Sequence, residues 1–405
     1  MSSVGALSGV RVVDMTMYVA GPLCTQLLAD MGAEVIKTER PPDGDVYRRQ
    51  GPEFLRGQSI TFLALNRGKK SLVLDLKSER GHDVMKRLVE GADVLVHNFR
   101  PKTAERLGIG KEDIAAINPR TVYATVSGYG GAGPKGDDGG YDLMMQGESG
   151  IMEATGYADR PPAKAGYAVV DINAAANLAF GIVSSLFERE RKGTARPVET
   201  SLYETAMSMG VILAERYLAY GAEPGRNGSA SPLFSPYQAY KTEDGYFTVE
   251  GTGPPGAFER FCGVIDAPHL LDDPAFATNG DRVRNQQALT EAIEDRTTQQ
   301  KTEYWMSRMR DQGLPCGSIQ SIGEALDSEQ TSALGIVVEN RHPTDGTYRT
   351  VRSPLRIDGH PTVSLTQPPR LGEHTREVLA SVGYGADSIR ELLAAGVVLA
   401  EEGDK

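Results

Sequence analysis

One acidic residue, Asp171, stands out by its surroundings. It lies in the run AGYAVVDINAAANLAFGIV, where an apolar, strand-like stretch leads into it and a helix of small residues follows. An aspartate at such a junction is a favoured N-cap, because its carboxylate accepts hydrogen bonds from the free N–H groups of the first helical turn. The helix N-terminus would also stabilise the ionised carboxylate, and an ionised carboxylate in an apolar setting can attack an acyl group as a nucleophile. The local pattern leaves both roles open.

Basic residues cluster near the ends of the predicted strands in the first half of the chain. Open α/β sheets bind their ligands at strand ends, so the cluster is either a solvated rim or the binding site of a phosphorylated ligand. Because the protein is otherwise acidic, the cluster slightly favours a binding site for a phosphorylated ligand. The residues are Arg40, Lys69, Lys70, Lys77, Arg100, Lys102 and Arg106.

Several other kinds of chemistry lack their motifs. The turn before the first helix holds only Gly21, followed by Pro22, whereas a dinucleotide fingerprint needs three glycines. The chain has no GxxxxGK[ST] phosphate loop and no GxSxG nucleophile elbow. The three cysteines are too few and too scattered for a zinc site, and no two of the six histidines have a metal-ligand spacing. We therefore expect no metal. The histidines are His82, His97, His269, His342, His360 and His374.

The elements that must position these residues alternate in the first half of the chain. Mostly apolar strands are predicted at 10–16, 33–39, 71–77, 93–99 and 122–127, with helices at 21–31 and 82–90 between them. Two longer helices are predicted at about 172–191 and 202–220. Apolar strands that alternate with helices indicate an α/β fold with a parallel sheet covered on both faces.

The composition changes near residue 221, where a stretch rich in Gly, Pro and Ser resembles a linker. A hairpin turning at Asp244 and Gly245 and helices at about 257–264, 286–296 and 302–311 follow, which suggests a small mixed domain. The predicted domains are 1–220, the first part of a large domain; 221–330, the linker and a small domain; and 331–405, a C-terminal part.

Composition excludes further classes of protein. The 405 residues hold 43 Lys and Arg against 54 Asp and Glu, a net charge of −11, and a protein that binds nucleic acid needs a basic face instead. No window reaches the roughly 18 uninterrupted apolar residues of a membrane span, and the N-terminus lacks the pattern of a secretory signal. With three scattered cysteines, a cytoplasmic location is expected, with neither nucleic acid nor membrane as a partner.

The ordered set of segments is more specific than any one of them. It resembles the family III CoA-transferases, also called the L-carnitine dehydratase/bile acid-inducible protein F family, which includes formyl-CoA transferase, crotonobetainyl-CoA:carnitine CoA-transferase and α-methylacyl-CoA racemase. The resemblance covers most of the first 250 residues and is looser in the C-terminal third. The matching segments, in order, are AGPLCTQLLADMGAEVIKTERP, LNRGKKSLVLDLKSERG, ADVLVHNFRPKTAERLGIG, INPRTVYATVSGYGGAGP, VVDINAAANLAFGIVSSLFERERKGTARPVETSLYE and SPYQAYKTEDGYF.

The resemblance implies a fold and an activity. The fold would be a large Rossmann-like domain built from both chain ends plus a smaller α+β domain, and two chains would interlock as a homodimer. The activity would be acyl-CoA:carboxylate CoA transfer, with acyl-CoA and a carboxylic acid as substrates and no resident cofactor. Asp171 matches the family's nucleophile, which would form an aspartyl mixed anhydride and then an aspartyl-CoA thioester.

The resemblance also implies the residues that contact coenzyme A. Arginine and lysine would meet the phosphates, while backbone and apolar atoms would meet the adenine and the pantetheine. The matching residues are Val19, Ala20, Arg40, Leu74, Lys77, Asn98, Phe99 and Arg106. A glycine-rich lid over the active site would correspond to Gly251 and Gly253 in GTGPPG, although two prolines stiffen this segment.

Two departures from the family pattern bear on the activity. Racemases of the family carry a histidine acid/base where this chain has Tyr141, followed by Asp142. Epimerisation needs two opposed acid/base groups, and a phenol with an ordinary pKa near 10 replaces histidine poorly. His97 stands where many relatives have glutamate. The alternatives to a transferase are a racemase or other CoA-ester isomerase, and a CoA-ester-binding protein without catalysis. The donor and acceptor acids do not follow from the sequence.

Overall fold

The computed structural model describes residues 5–253, 255–342 and 346–401, and these residues form the mixed α/β architecture that the sequence predicts. The strands are β1 (Arg11–Met15), β2 (Glu34–Glu39), β3 (Phe54–Leu55), β4 (Gln58–Ser59), β5 (Lys69–Leu74), β6 (Val94–His97), β7 (Val122–Ser127), β8 (Val198–Ser201), β9 (Tyr237–Lys241), β10 (Tyr246–Glu250), β11 (Cys316–Ser318), β12 (Val337–His342), β13 (Gly346–Val351), β14 (Arg356–Ile357), β15 (His360–Pro361) and β16 (Val398–Leu399).

The α-helices alternate with the sheet strands in the first half of the chain and dominate the region between β8 and β12. They are α1 (Ala20–Asp30), α2 (Ile60–Leu65), α3 (Glu79–Glu90), α4 (Pro101–Arg106), α5 (Lys111–Ile117), α6 (Asp142–Glu148), α7 (Ile151–Ala154), α8 (Val169–Lys192), α9 (Leu202–Met209), α10 (Val211–Tyr220), α11 (Ala257–Val264), α12 (Asn279–Arg284), α13 (Gln286–Thr297), α14 (Thr302–Asp311), α15 (Ile322–Asp327), α16 (Glu329–Leu334), α17 (Thr375–Ser381) and α18 (Ala386–Ala394). The predicted helix 202–220 is interrupted at Gly210, which ends α9.

The central sheet has seven strands in the order β16-β5-β2-β1-β6-β7-β8. All neighbours are parallel except β16, which pairs antiparallel with β5. The five predicted strands are confirmed as β1, β2, β5, β6 and β7. The strands β8 and β16 have four and two residues, too short to show a hydrophobic period in the sequence.

The strand order creates a crevice at the sheet's carboxyl edge. In chain order the six parallel strands lie third, second, first, fourth, fifth and sixth, the usual order of a doubly wound fold. The chain reverses its direction of winding between β1 and β6, so the loops that follow these two strands diverge. The fold therefore places the loops that contain Tyr18 and Asn98 at the crevice where such folds bind ligands.

The sheet is buried by helices on both faces, which explains why its strands are mostly apolar. On one face, α3, α17 and α18 contribute Leu88, Leu379 and Leu392 to a core that also contains Ile36 and Leu95. On the other, α1 packs against α8. Within the described residues, α8 alone is long and apolar enough for a membrane span by length and composition; 44% of its most apolar window is buried, and core helices of other proteins pass the same test.

The chain forms two compact units. The first comprises Met1–Ser149, Gly166–Val211 and Ala333–Lys405, so both chain ends belong to it, and the second comprises Gly150–Ala165 and Ile212–Ser332. The second unit contains the antiparallel sheet β11-β10-β9 and a separate hydrophobic core. The predicted hairpin is confirmed, because Lys241 pairs with Tyr246 across its turn. The predicted domain bounds at 221 and 331 stay predictions.

Candidate active site

Asp171 is the third residue of α8, and its side chain is half-buried and lines a cavity of about 430 Å³. The N-cap role expected from the sequence is wrong, because α8 begins at Val169 and its N-cap is Ala168. The Asp171 carboxylate accepts no hydrogen bond from the residues that the structure describes. It is therefore an unpaired acid at a helix N-terminus, facing a space large enough for a small ligand.

Asp142 performs the capping that the sequence suggested for Asp171. Its Oδ1 accepts hydrogen bonds from the backbone N–H of Val170 at 2.8 Å and of Asp171 at 3.3 Å. Its Oδ2 accepts a hydrogen bond from Gln146 Nε2 at 2.5 Å. Local sequence offers no signal for this arrangement, because Asp142 precedes the helix that it caps by 27 residues. The cap leaves the Asp171 carboxylate free.

The environment raises the pKa of Asp171 to about 7. Burial is the larger cause, because it penalises the charged form, and the negative charge of Asp142 is the smaller one. Near neutral pH the group is thus divided between its acid and its carboxylate. Titratable groups with pKa values shifted toward neutrality are typical of active sites.

A second cavity, of about 650 Å³, adjoins the first. Met17, Phe99 and Thr103 line both, so the two spaces meet at the carboxyl edge of the sheet. We call the first the Asp171 cavity and the second the outer cavity. Together they extend from the unpaired carboxylate to the ends of β2 and β5.

The residues that the family resemblance implies for CoA all line these two cavities. Those of the outer cavity are Arg40, Leu74, Lys77, Phe99 and Arg106, and those of the Asp171 cavity are Val19, Ala20, Asn98 and again Phe99. Gly251 and Gly253 lie in the second unit, where they line a different cavity of about 330 Å³. Their role as a lid stays a prediction, and Pro254 of the same loop lies outside the described residues.

The outer cavity is bordered by unpaired positive charge. The side chains of Arg40, Lys77 and Arg106 are exposed and have no hydrogen bond or ion pair within the described ranges. Three such cations around one cavity, in a chain with a net charge of −11, attract an anionic ligand. Phosphate groups are suitable partners for arginine in particular.

The other basic residues of the cluster divide into two kinds. Lys69, Lys70 and Lys102 are bound to acidic side chains, Lys69 to Asp14 among them. Arg100 lines the Asp171 cavity, and its guanidinium has no partner in the described part of the chain. The sequence could not separate the two kinds, since pairing depends on residues distant in the chain.

The loop after β1 is held by hydrogen bonds from the side chains of Asn98, Lys37 and Asp14. The side chain of Asn98 accepts a hydrogen bond from Met17 N at 3.0 Å and donates one to Met17 O at 2.7 Å. Lys37 Nζ donates to Thr16 O at 2.8 Å, and Asp14 Oδ1 accepts from Thr16 N at 2.9 Å. The amide of Asn98 is therefore occupied in shaping the loop.

Beneath this loop lie two fully buried lysines. Lys37 Nζ is 2.8 Å from Asp45 Oδ2, and Lys69 Nζ is 3.0 Å from Asp14 Oδ2. Burial lowers the pKa of Lys69 to about 8, although Asp14 opposes the shift. Burial alone would raise the pKa of Asp14, but the charges of Lys69 and Lys37 outweigh it and the pKa is lowered. Sequence reasoning missed Lys37, since a lysine within an apolar strand gives no hint of its partner.

The side chain of His97 is hydrogen-bonded to the backbone of the loop that follows β6. Its ring is buried, its Nε2 lies 2.5 Å from Tyr123 Oη, and its Nδ1 accepts a hydrogen bond from Phe99 N at 3.2 Å. Burial lowers the pKa of His97 to about 4, so the ring is neutral at neutral pH. The residue thus shapes the loop that carries Phe99.

Comparison with known proteins gives one consistent result. The model of the family described as CoA-transferase family III matches residues 7–375. The mouse succinyl-CoA:glutarate CoA-transferase is 36% identical over 98% of this chain and 91% of its own length. The acetyl-CoA:oxalate CoA-transferase of Acetobacter aceti is 35% identical over 88% of this chain and 90% of its own.

Solved structures agree. The crystal structure of a CAIB/BAIF family protein from Brucella suis superimposes with a TM-score of 0.82 at 34% identity, over 93% of this chain and 99% of that one. A protein from Mycobacterium tuberculosis gives a TM-score of 0.83 at 31% identity, over 92% and 98% of the two chains.

Proposed function

Since the chain belongs to CoA-transferase family III and its relatives over nearly the whole chain are named CoA-transferases, the protein is an acyl-CoA:carboxylate CoA-transferase, and we propose that it works through covalent intermediates on Asp171. The observation that carries this proposal is the unpaired Asp171 carboxylate in a cavity that continues into one bordered by free cations. A CoA ester whose phosphates meet Arg40, Lys77 and Arg106 would extend its thioester toward Asp171.

The reaction has four chemical steps. A carboxylate oxygen of Asp171 attacks the thioester carbon of the donor, the C–S bond breaks, and CoA leaves as a thiolate, which gives a mixed anhydride. The thiolate then attacks the aspartyl carbon and releases the donor acid, which leaves an aspartyl-CoA thioester. The acceptor carboxylate attacks that thioester, and the released thiolate attacks the acceptor's acyl carbon. Asp171 is thereby restored as a carboxylate, with no net gain or loss of protons.

The surroundings of Asp171 support this chemistry. A carboxylate with a pKa near 7 is more basic, and so more nucleophilic, than an ordinary one, while a useful fraction stays ionised at neutral pH. Because CoA would remain held in the outer cavity, each thiolate attack is effectively intramolecular, which can supply about 7–11 kcal/mol of the barrier. Ala20 begins α1 and lines the same cavity, so its N–H is a suitable donor for a developing oxyanion.

We propose short dicarboxylic acids as the substrate class. The acids in the names of relatives across nearly the whole chain include glutarate, succinate, oxalate and citramalate, which are short dicarboxylic acids, and one of these relatives is also named for acetyl-CoA. The Asp171 cavity, at about 430 Å³, is suited to a small acid.

An interlocked homodimer is the assembly we propose. In the first unit, α8 exposes Phe180 and Phe187, at 76% and 63%, and in the second, α10 exposes Leu218 and Tyr220, at 75% and 85%. Large exposed apolar side chains on long helices mark protein–protein contacts, and most soluble oligomers are two-fold symmetric dimers.

Three unpaired cysteines support a cytoplasmic location. We further propose that no resident cofactor takes part, because the carboxylate and CoA supply the chemistry.

Trapping of the intermediate tests the proposal. The protein is incubated with succinyl-CoA, glutaryl-CoA, oxalyl-CoA and non-dicarboxylic acyl-CoA esters, without acceptor, and then treated with hydroxylamine. Mass spectrometry should find a hydroxamate on the peptide carrying Asp171. The variant Asp171→Asn should show none, whereas Asp138→Asn, which alters another acid lining the same cavity, should still be labelled. Absence of label with every donor, together with exchange of an α-proton in deuterated water, would contradict the proposal and indicate an isomerase.

A further inference from the structure

Three tyrosines meet in the Asp171 cavity. The rings of Tyr18 and Tyr47 have centroids 5.7 Å apart at 88°, and those of Tyr18 and Tyr141 have centroids 5.4 Å apart at 84°. All three side chains line the cavity together with Asp171. Tyr18 is thus the centre of an aromatic wall that carries phenol groups.

The backbone of Tyr18 is in an unusual conformation. Its φ is +70°, in the left-handed region that a bulky residue rarely adopts. The loop is held there by the contacts of Asn98 with Met17 and of Lys37 with Thr16. Strained conformations that the surroundings enforce are concentrated at functional sites. Here the strain places the Tyr18 ring between the other two.

The hydroxyl groups of this wall have spare hydrogen-bonding capacity. Tyr18 Oη and Tyr141 Oη are 3.4 Å apart, so one phenol donates to the other and the remaining O–H has no acceptor within the described residues. The hydrogen bond to Tyr141 and burial raise the pKa of Tyr18 to about 12, and burial and the charge of Asp171 raise that of Tyr47. These groups therefore remain protonated donors at neutral pH.

We infer that Tyr18 is a specificity-determining residue, whose hydroxyl binds, with that of Tyr141, the distal carboxylate of a short dicarboxylic acid that reacts at Asp171. A carboxylate accepts both O–H groups, whereas the methyl end of a monocarboxylic acid leaves them unpaired. Sites built to hydrogen-bond a substrate group strongly reject analogues that lack it.

This inference rests on the proposed function and deepens it, and two acceptor acids of equal length test it. The specificity ratio is kcat/KM for glutarate divided by kcat/KM for pentanoate, measured with the dicarboxylyl-CoA donor that labels Asp171 best. Loss of one hydrogen bond to a charged group should lower this ratio about tenfold in Tyr18→Phe. Tyr141→Phe should lower the specificity ratio by a similar factor. Because Tyr141 is 51% exposed, its substitution should preserve the fold, so this variant tests the inference even if Tyr18→Phe does not fold. Tyr384→Phe, which alters a tyrosine outside the cavity, should leave the ratio unchanged.

The outcomes separate this inference from the proposed function. If Tyr18→Phe and Tyr141→Phe form the Asp171 hydroxamate as the unmodified protein does but keep its specificity ratio, the role of the tyrosines is overturned and the covalent mechanism stands. If the unmodified protein uses pentanoate as well as glutarate, or no dicarboxylyl-CoA labels Asp171 while another donor does, the substrate class is overturned. If no donor labels Asp171 in the unmodified protein, the covalent mechanism itself fails. A fall in the ratio with unchanged kcat/KM for pentanoate supports the inference.

Discussion

The unpaired charge of Asp171 should cost stability in a way that depends on pH. The pKa of Asp171 rises from 3.8 to about 7 on folding, so the folded protein binds this proton more tightly than the unfolded chain does. The free energy of unfolding should therefore fall as the pH rises from about 4 to about 7. The variant Asp171→Asn has no titrating group at this position, so this decrease in the free energy of unfolding should be absent from it.

The size of the effect follows from the shift. About three pKa units correspond to about 4 kcal/mol, at 1.36 kcal/mol per unit. Because the side chain is half-buried and partly screened by solvent, we expect about 1–2 kcal/mol at pH 8.5. At about 2.1 cal/mol/K of unfolding entropy per residue, that is an increase in Tm of about 1–2 °C for the variant.

Thermal unfolding at pH 5 and pH 8.5 measures this difference. The Tm of Asp171→Asn minus that of the unmodified protein should be larger at pH 8.5 than at pH 5. Asp272→Asn serves as the control, because Asp272 is exposed and its side chain makes no hydrogen bond or ion pair in the described part of the chain. An Asp171→Asn difference that is equal at the two pH values, or that reverses at pH 8.5, would refute the proposed environment of this carboxylate.

Three further predictions concern the charges around the site. The rate of hydroxamate formation on Asp171 should rise with pH through an apparent pKa near 7. Asp142→Asn should move that rise to lower pH, because the variant removes a neighbouring negative charge. The side-chain oxygen of the asparagine can still cap α8. Arg106→Ala should raise KM for the CoA ester about tenfold with little change in kcat, because one charge-assisted contact to a phosphate is lost. Lys69→Met should destabilise the protein by about 3–5 kcal/mol, measured by thermal unfolding, because it leaves the buried Asp14 carboxylate without its partner.

Each of these has an outcome that would contradict it. An Asp142→Asn variant whose pH profile is unchanged or shifted upward would remove Asp142 as a cause of the raised pKa. An Arg106→Ala variant with normal KM at low ionic strength would exclude Arg106 from CoA binding, since screening is weakest there. Lys70→Met is the matched control for Lys69→Met, because Lys70 is a neighbouring lysine whose ion pairs are partly exposed. Equal destabilisation by the two variants would contradict the buried pair.

The sequence determined much of the fold because the relevant signals are local. The central strands β1, β2, β5, β6 and β7 are mostly apolar because helices cover both faces of the sheet, and such runs can be recognised in the sequence. The ordered motifs led to the family, and through it to Asp171 and the residues implied for CoA.

Only the tertiary structure decided how the charges are paired. Asp142 caps α8 from 27 residues upstream, so the N-cap interpretation of Asp171 failed. Lys69 is neutralised by Asp14 whereas Arg106 stays unpaired, although both are basic residues near strand ends. The residues that bury a charged side chain or pair with it come from segments far apart in the sequence. They determine whether that side chain stabilises the fold or stays available to bind a ligand. A one-dimensional pattern records the type of a side chain and its spacing, but not its neighbours in space.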